Sequence, residues 1–247
     1  MLVIFSCLFS LVCYSLMKLS KNKINSMFDS ISNEYDFLNN IITFGGHNKW
    51  KNDIVKIARE NNPKTILDIA TGTADIAIRF SEIQKSKIIG IDISSKMLDV
   101  GKEKIQNKDF AKRVVLKKGD AENLEFDNSS FDVISIGYGV RNFENLEKGL
   151  KESFRVLSAK GKLIILETST PTNVLIRFVF NIYTRLFIRS ISRIFSKNPK
   201  AYTYLEKSAK KFPSGNDFAN ILIGTGFKNV KIIPKLFGAS TIYVASK

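Results

Sequence analysis

Three short stretches bring acidic and small residues together where a nucleoside could be held. Asp68-Ile69-Ala70-Thr71-Gly72-Thr73-Ala74-Asp75 joins an apolar run to an amphipathic one, and Asp92 stands 20 residues after Gly72, at the end of the next apolar run. An acid at that spacing can accept from both hydroxyls of a ribose. Gly119-Asp120-Ala121-Glu122 follows a third apolar run. There Asp120 can accept from an adenine amino group and the Ala121 N–H can donate to a ring nitrogen; the plainer reading is a surface turn, where Asp is common. A pyrophosphate would need several glycines so that backbone N–H groups could approach it. The pattern G-x-G-x-x-G is missing, however: only Gly72 is present, with Ala70 and Ala74 at the neighbouring small positions. A ligand with a ribose and an adenine but no phosphate fits better. S-adenosylmethionine is such a ligand, and its methionine part needs a close turn of small residues.

The elements that must position these residues follow from the apolar pattern. Thr65–Ile69, Lys87–Asp92, Val114–Leu116, Phe131–Ile136 and Lys162–Glu167 are short, β-branched and continuous, as strands buried on both faces are. Lys160-Gly161 is expected to turn into the fifth. Between them, Ala74–Ile83, a segment through Met97, Leu98 and Ile105 capped by Ser94 or Ser95, and Asn145–Leu157 have helical spacing. Alternation of this kind implies an α/β fold with a parallel sheet and crossover helices. Val230–Ile233 and Thr241–Val244, flanking Gly238, read as an antiparallel pair at the end of the sheet. Ser26–Arg59 precedes the first strand and carries Tyr35, Phe37, Phe44 and Trp50. It is expected either to fold as a lid over the ligand-bearing edge or simply to pack on the sheet.

Composition excludes other classes. The single histidine, His47, and the two cysteines, Cys7 and Cys13, both in the first apolar stretch, build no metal site and no disulfide framework. The formal net charge of +15 would suit nucleic acid, but the lysines are scattered and Lys far outnumbers Arg, as codon bias in an AT-rich genome produces. A nucleic-acid methyltransferase would be expected to show an Asn-Pro-Pro-aromatic motif or an added module, and neither is present, so no nucleic-acid partner is expected. Met1–Met17 is apolar and followed by Lys18, Lys21 and Lys23. It reads as a short membrane anchor, as the leader of a mis-called start with Met17 the true one, or as a packed helix. The domain proper is expected over residues 26–247, after an extension of 1–25. Val174–Phe195 is rich in Phe, Ile, Leu and Val, with Arg177, Arg185, Arg189 and Arg193 its only charges. On one continuous helix these arginines span about 160°, a basic amphipathic pattern suited to an anionic membrane surface, or to a helix covering the pocket.

From Met27 onward the chain resembles the ubiquinone/menaquinone biosynthesis C-methyltransferases. The resemblance rests on Met27–Asp36, Leu67–Asp75, Gly137-Tyr138-Gly139-Val140-Arg141-Asn142-Phe143 and Ala201-Tyr202-Thr203-Tyr204-Leu205. It implies the class I Rossmann-like methyltransferase fold, a mostly parallel seven-stranded sheet with the last strand antiparallel. It also implies methylation of a ring carbon of demethylmenaquinol by S-adenosylmethionine without a metal; a ubiquinol precursor is the alternative acceptor. Gly72, Thr73, Asp92, Asp120, Ala121 and Gly137 would bind the cofactor, and Tyr35, Asp36 and Asn142 would line the acceptor pocket. The family commonly has Gly where this chain has Ala74, and a cofactor-contacting Ser where it has Gly137. Both departures also fit a scaffold that binds the cofactor poorly. Arg141 is expected either to stabilise the developing phenolate or hold an activating water, or to sit in a structural ion pair, for example with Glu144. His47 reads as a base or as a turn or cap residue beside Gly45-Gly46. A prenylated naphthoquinol as substrate implies a location in the cytoplasm at the cytoplasmic face of the inner membrane; a homo-oligomer is compatible with the sequence.

Overall fold

The β-branched runs become strands. They are β1 (Thr65–Ile69), β2 (Lys87–Asp92), β3 (Val114–Lys118), β4 (Phe131–Gly137), β5 (Leu157–Thr168), β6 (Lys228–Lys235) and β7 (Ser240–Ser246). The central ones are buried on both faces, and the two at the edges, β3 and β6, are largely open to solvent. The computed structural model describes residues 19–60 and 62–247, so the readings of Met1–Met17 lie outside the described residues. All seven strands form one sheet in the order β3-β2-β1-β4-β5-β7-β6. β1 to β5 are parallel, while β7 runs antiparallel to both β5 and β6. The expected antiparallel pair is therefore present, with β7 inserted between β5 and β6.

Alternate residues of each central strand feed two separate cores. Leu67, Ile69, Ile134, Ile136, Leu163 and Ile165 pack on one face with α6 (Leu146–Val156) and α10 (Asn216–Thr225). Ile66, Ile88, Val133, Ile164 and Leu166 pack on the other with α3 (Gly46–Arg59) and α4 (Asp75–Phe80). A third core joins α1 (Lys21–Ile31) and α2 (Tyr35–Ile42) to Met97 of α5 (Ser95–Ile105) and to Ala201 and Tyr202 of α9 (Pro199–Lys211). It lies over the carboxyl edge of the sheet, where the lid was expected. α1 crosses the expected boundary at 25/26, and its Ile24 belongs to this core. Ser94 caps α5 by accepting from the Met97 N–H at 3.1 Å, and Asn145 caps α6 by accepting from the Lys148 N–H at 3.0 Å.

Three expectations change. The helix expected over Ala74–Ile83 is only Asp75–Phe80, because Ala74 takes a left-handed conformation and the chain turns after Phe80. Lys160-Gly161 does not precede β5 but lies within it, as a bulge: Phe131 faces Leu157 and Val133 faces Lys162. The Val174–Phe195 stretch is not one regular helix. It is α7 (Val174–Tyr183), a π-helical segment Thr184–Ile188, and α8 (Arg189–Phe195). The wider π turn breaks the constant angular phase on which the arginine arc depended.

Candidate functional site

The loop after β1 owes its shape to backbone conformations that L residues avoid. Ala70, Gly72 and Ala74 have φ of 54°, 56° and 66°. For the two alanines this costs on the order of 1–2 kcal/mol each. The Ala74 methyl, the first departure from the family pattern, is buried; a Cβ on Gly101 would come within 3.0 Å of it. The bare backbone of Gly101 thus makes room for that methyl. The second departure has a partner too: a Cβ on Gly137 would lie 2.3 Å from Ile76 Cδ1. Ile76 has taken the space that a side chain at 137 would need.

Acidic side chains brace this loop from below. Asp92 Oδ2 accepts from the Gly72 N–H and Oδ1 from the Ser94 N–H, both at 2.8 Å. Burial raises the Asp92 pKa, and these amide bonds only partly offset it. Asp68, deeper in β1, accepts from the hydroxyls of Thr71 and Ser135. Burial pushes its carboxyl up to about 6, against the pull of those two hydroxyls. A folded pKa above the unfolded one means that Asp68 favours folding below about pH 4 and that this contribution is lost as pH rises through about 6. Wild-type stability should therefore fall across that window relative to Asp68→Asn; urea unfolding of both proteins at pH 4 and pH 7 checks it.

Two clefts meet on this edge of the sheet. The first, about 730 Å³ with its open mouth, is lined by Gly72, Asp92, Asp120, Ala121, Gly137 and Asn142, among others. Five of the six cofactor positions expected from sequence thus share one cleft, at the carboxyl ends of β1 to β4. Asn142, expected on the acceptor side, lies here as well, with a buried Oδ1 that has no hydrogen-bond partner. Lys21 of α1 closes over the cleft, donating to Asp120 Oδ2 at 2.7 Å and lying 3.0 Å from Glu122 Oε2. The second cleft, about 1510 Å³, contains Thr73, Tyr35, Asp36 and Arg141. Tyr35, Ala70, Gly72, Gly137 and Tyr138 line both. Among the described residues no cluster of side chains could hold a metal ion.

Arg141 is buried in the wall of the second cleft, and its ion-pair partner is Glu167 of β5. Nη1 donates to Glu167 Oε1 at 2.6 Å and to the Tyr138 carbonyl at 2.7 Å. A carboxylate from the neighbouring strand thus supplies an ion pair of the kind expected for Arg141. Asp36 does not stand alone either. Its Oδ1 accepts from the Thr73 hydroxyl at 2.6 Å and its Oδ2 from Lys104, which also donates to Asp75 Oδ1 at 2.8 Å and to the Thr73 carbonyl at 3.1 Å. Burial works to raise the Asp75 pKa, but Lys51 and Lys104 outweigh it and hold the carboxyl well below the usual range.

Lys104 and Glu167 escaped the sequence reading. Glu167 carried a usable signal, an acid at the carboxyl end of a buried strand, the same signal that marked Asp92. Lys104 carried none, being one of several lysines on an amphipathic helix. It ties the lid helix α2 to the loop after β1. Lys104→Met is expected to weaken S-adenosylmethionine binding roughly ten-fold, since charged hydrogen bonds of about 1.5–3 kcal/mol each are discounted here for partial exposure. Lys104→Arg should recover part of the loss. Calorimetric titration checks this, and unchanged affinity in Lys104→Met would remove the coupling.

Comparison with known proteins agrees with this geometry. The chain is 36% identical over 226 residues to the demethylmenaquinone methyltransferase of Bacteroides fragilis, covering 91% of this chain and 92% of that one. It is 40% identical over 233 residues to the demethylmenaquinone methyltransferase of Chlorobaculum tepidum, with 92% and 93% covered. Its fold is similar to that of a SAM-dependent methyltransferase from Aquifex aeolicus, with a TM-score of 0.56 at 17% identity over 92% of this chain and 98% of the other. The profile of the ubiE/COQ5 methyltransferase family matches residues 16–247. The chain is an S-adenosylmethionine-dependent methyltransferase and belongs to the ubiE/COQ5 methyltransferase family.

Proposed function

We propose that this protein transfers a methyl group from S-adenosylmethionine to a ring carbon of demethylmenaquinol, in menaquinone biosynthesis. The observation that carries the reading is the pair of joined clefts, one with Asp92 and Asp120 at its strand ends, the other about twice as large and opening among apolar side chains. The acid at the end of β2, Asp92, would hold the ribose hydroxyls. Asp120 and the Ala121 N–H would meet the adenine, and Gly72, Thr73 and Gly137 would flank the methionine part. Asn142, with its unpartnered Oδ1, stands in the wall of the same cleft.

Bound S-adenosylmethionine supplies an electrophilic methyl group on a sulfonium, open to in-line displacement. The chain must make the acceptor carbon nucleophilic and align it. Alignment alone can lower the barrier by several kcal/mol. Tyr35, where the two clefts meet, is placed to orient the ring, and Asp36 fixes the lid on which Tyr35 stands. Arg141 presents fixed positive charge to the second cleft. A hydroquinol that loses a hydroxyl proton spreads negative charge to its ring carbon, and a guanidinium held in place stabilises that charge.

The acceptor's prenyl tail resides in a bilayer, and the mouth of the second cleft suits that. Phe180, Tyr183 and Leu236 line the cleft, and beside them Leu175, Phe178 and Phe237 are 72%, 62% and 77% exposed. α7 has no buried residue at all. Phe44, 77% exposed, stacks on Phe187 in the same rim. Arg177, Arg185 and Arg193 are exposed in this region. An apolar rim with cations beside it is what an anionic membrane surface binds. The association proposed is peripheral, at the cytoplasmic face of the inner membrane; among the described residues no helix is long and apolar enough to cross a membrane. Vesicles containing phosphatidylglycerol should sediment the protein at low salt, and Leu175→Glu with Phe178→Glu should lower that binding at least ten-fold. Equal binding by the double variant would sink the assignment of this rim.

The test of function is methyl transfer from labelled cofactor to reduced demethylmenaquinone in detergent, with a demethoxyubiquinol-type precursor run alongside. Transfer to the naphthoquinol supports the reading. Transfer to the benzoquinol alone favours the ubiquinone alternative, and failure with both despite cofactor binding rejects the quinol reading.

A further inference from the structure

We propose that His47 recognises the redox state of the acceptor: its unprotonated Nε2 accepts a hydrogen bond from a ring hydroxyl, so the enzyme takes up the hydroquinol in preference to the quinone. The proposal rests on reading the second cleft as the quinol site.

The tautomer follows from a hydroxyl that has one proton to give. Thr43 Oγ1 donates to the Asn39 carbonyl at 2.8 Å, and the same oxygen lies 2.5 Å from His47 Nδ1. If Nδ1 carries the ring proton, it donates to Thr43 Oγ1 while the Thr43 hydroxyl donates to Asn39, and both contacts are hydrogen bonds. If Nε2 carries it, the Thr43 hydroxyl must turn to Nδ1, the bond to Asn39 is lost, and Nε2–H is left without an acceptor. The first arrangement makes two bonds where the second makes one, so it prevails.

His47 is therefore a one-way group. It is buried in the wall of the second cleft, in the first turn of α3, and among the described residues none donates to Nε2. Burial lowers its pKa to about 4, helped by Lys51 and Arg79 and opposed by Asp75 and Asp36, so the ring stays neutral near pH 7. A neutral ring locked by Thr43 offers the cleft a lone pair and no proton. A hydroquinol O–H satisfies that lone pair, whereas a quinone carbonyl brings a second lone pair against it. Of the expectations from sequence, a base or a turn or cap residue, the turn fits best, since the side chain meets Thr43 across Gly45-Gly46. It faces the cleft rather than capping α3, and at this pKa it is an acceptor for a hydroxyl rather than a strong base.

The experiment uses the full chain saturated with S-adenosylhomocysteine, so that no turnover occurs. Binding of 1,4-naphthalenediol, kept reduced under anaerobic dithionite, is compared with binding of 1,4-naphthoquinone. Wild type should prefer the diol by about ten-fold. In His47→Phe the diol should weaken to the level of the quinone, with S-adenosylhomocysteine affinity unchanged. His47→Gln, whose amide can turn either its oxygen or its nitrogen to the cleft, should bind both forms comparably. It serves as the measurement if the Phe variant misfolds. Thr43→Val should lose part of the preference, because the ring is then free to change tautomer; a merely structural His47 would not respond in this way. No preference in wild type, or a preference that survives in His47→Gln, overturns the proposal. Either result in a protein that still methylates demethylmenaquinol leaves the proposed function standing, while absence of that activity in wild type rejects the function itself.

Discussion

Glu167→Ala is expected to destabilise the protein by about 3–5 kcal/mol and to remove nearly all activity, because it leaves the Arg141 guanidinium buried without its carboxylate. Glu167 is 0% exposed. It accepts from Arg141 Nη1 at 2.6 Å, from the Arg141 N–H at 3.3 Å, and from the Thr168 N–H and hydroxyl at 2.7 and 3.0 Å. One carboxylate thus fixes both the side chain and the backbone of the turn after β4, and joins that turn to the end of β5. The apolar pair Arg141→Met with Glu167→Leu separates the two roles. Removing both charges together should restore most of the stability, as for other buried pairs, but no activity. Urea unfolding and kcat on the same preparations check this. A Glu167→Ala protein stable to within 1 kcal/mol and fully active would show that Arg141 is held by other means.

Asp92→Asn is expected to weaken S-adenosylmethionine binding about a hundred-fold. Hydrogen bonds to a charged acceptor contribute roughly 1.5–3 kcal/mol each, and two ribose hydroxyls would rely on this carboxylate. The substitution also harms the loop. Both oxygens already accept backbone N–H groups, from Gly72 and Ser94, so one end of an asparagine amide would point a donor at a donor. A loss of about 3 kcal/mol, at 1.4 kcal/mol per factor of ten, gives the stated figure. Calorimetric titration measures it directly. Binding within three-fold of wild type would take Asp92 out of the ribose contact.

The site was legible where chemistry depends on local sequence. The small-residue loop, the acid 20 residues beyond Gly72 and the Gly119–Glu122 turn all sit at strand ends whose order follows from hydrophobic runs, so their convergence could be read in advance. Ala74 and Gly137 could be seen as departures, but not their compensations, because Gly101 and Ile76 reach them from other elements. Glu167 and Lys104 lie 26 and 31 residues from their partners Arg141 and the Thr73 carbonyl. Only the sheet register and the seating of α5 bring them in. Helix continuity was the other limit. The Val174–Phe195 periodicity is helical throughout, yet a π-helical segment divides it. Its exposed apolar residues, rather than a regular arc of arginines, dominate the surface it presents.

Because β7 lies between β5 and β6, the last strand in chain order is the one that zips the sheet together. During synthesis the nucleoside-binding half, β1 to β4 with its loops, can assemble while Ser240–Ser246 is still inside the ribosome. β6 has no strand to pair with until β7 is in place. Leu236, Ala239 and Ser240, which line the larger cleft, reach their places only when that final strand docks. A nascent chain therefore passes through a stage in which the cofactor half is formed and the acceptor wall is not, leaving the edge of β5 open to pairing with another chain. Pulse-chase proteolysis of stalled chains should find β1 to β5 protected before β6 and β7.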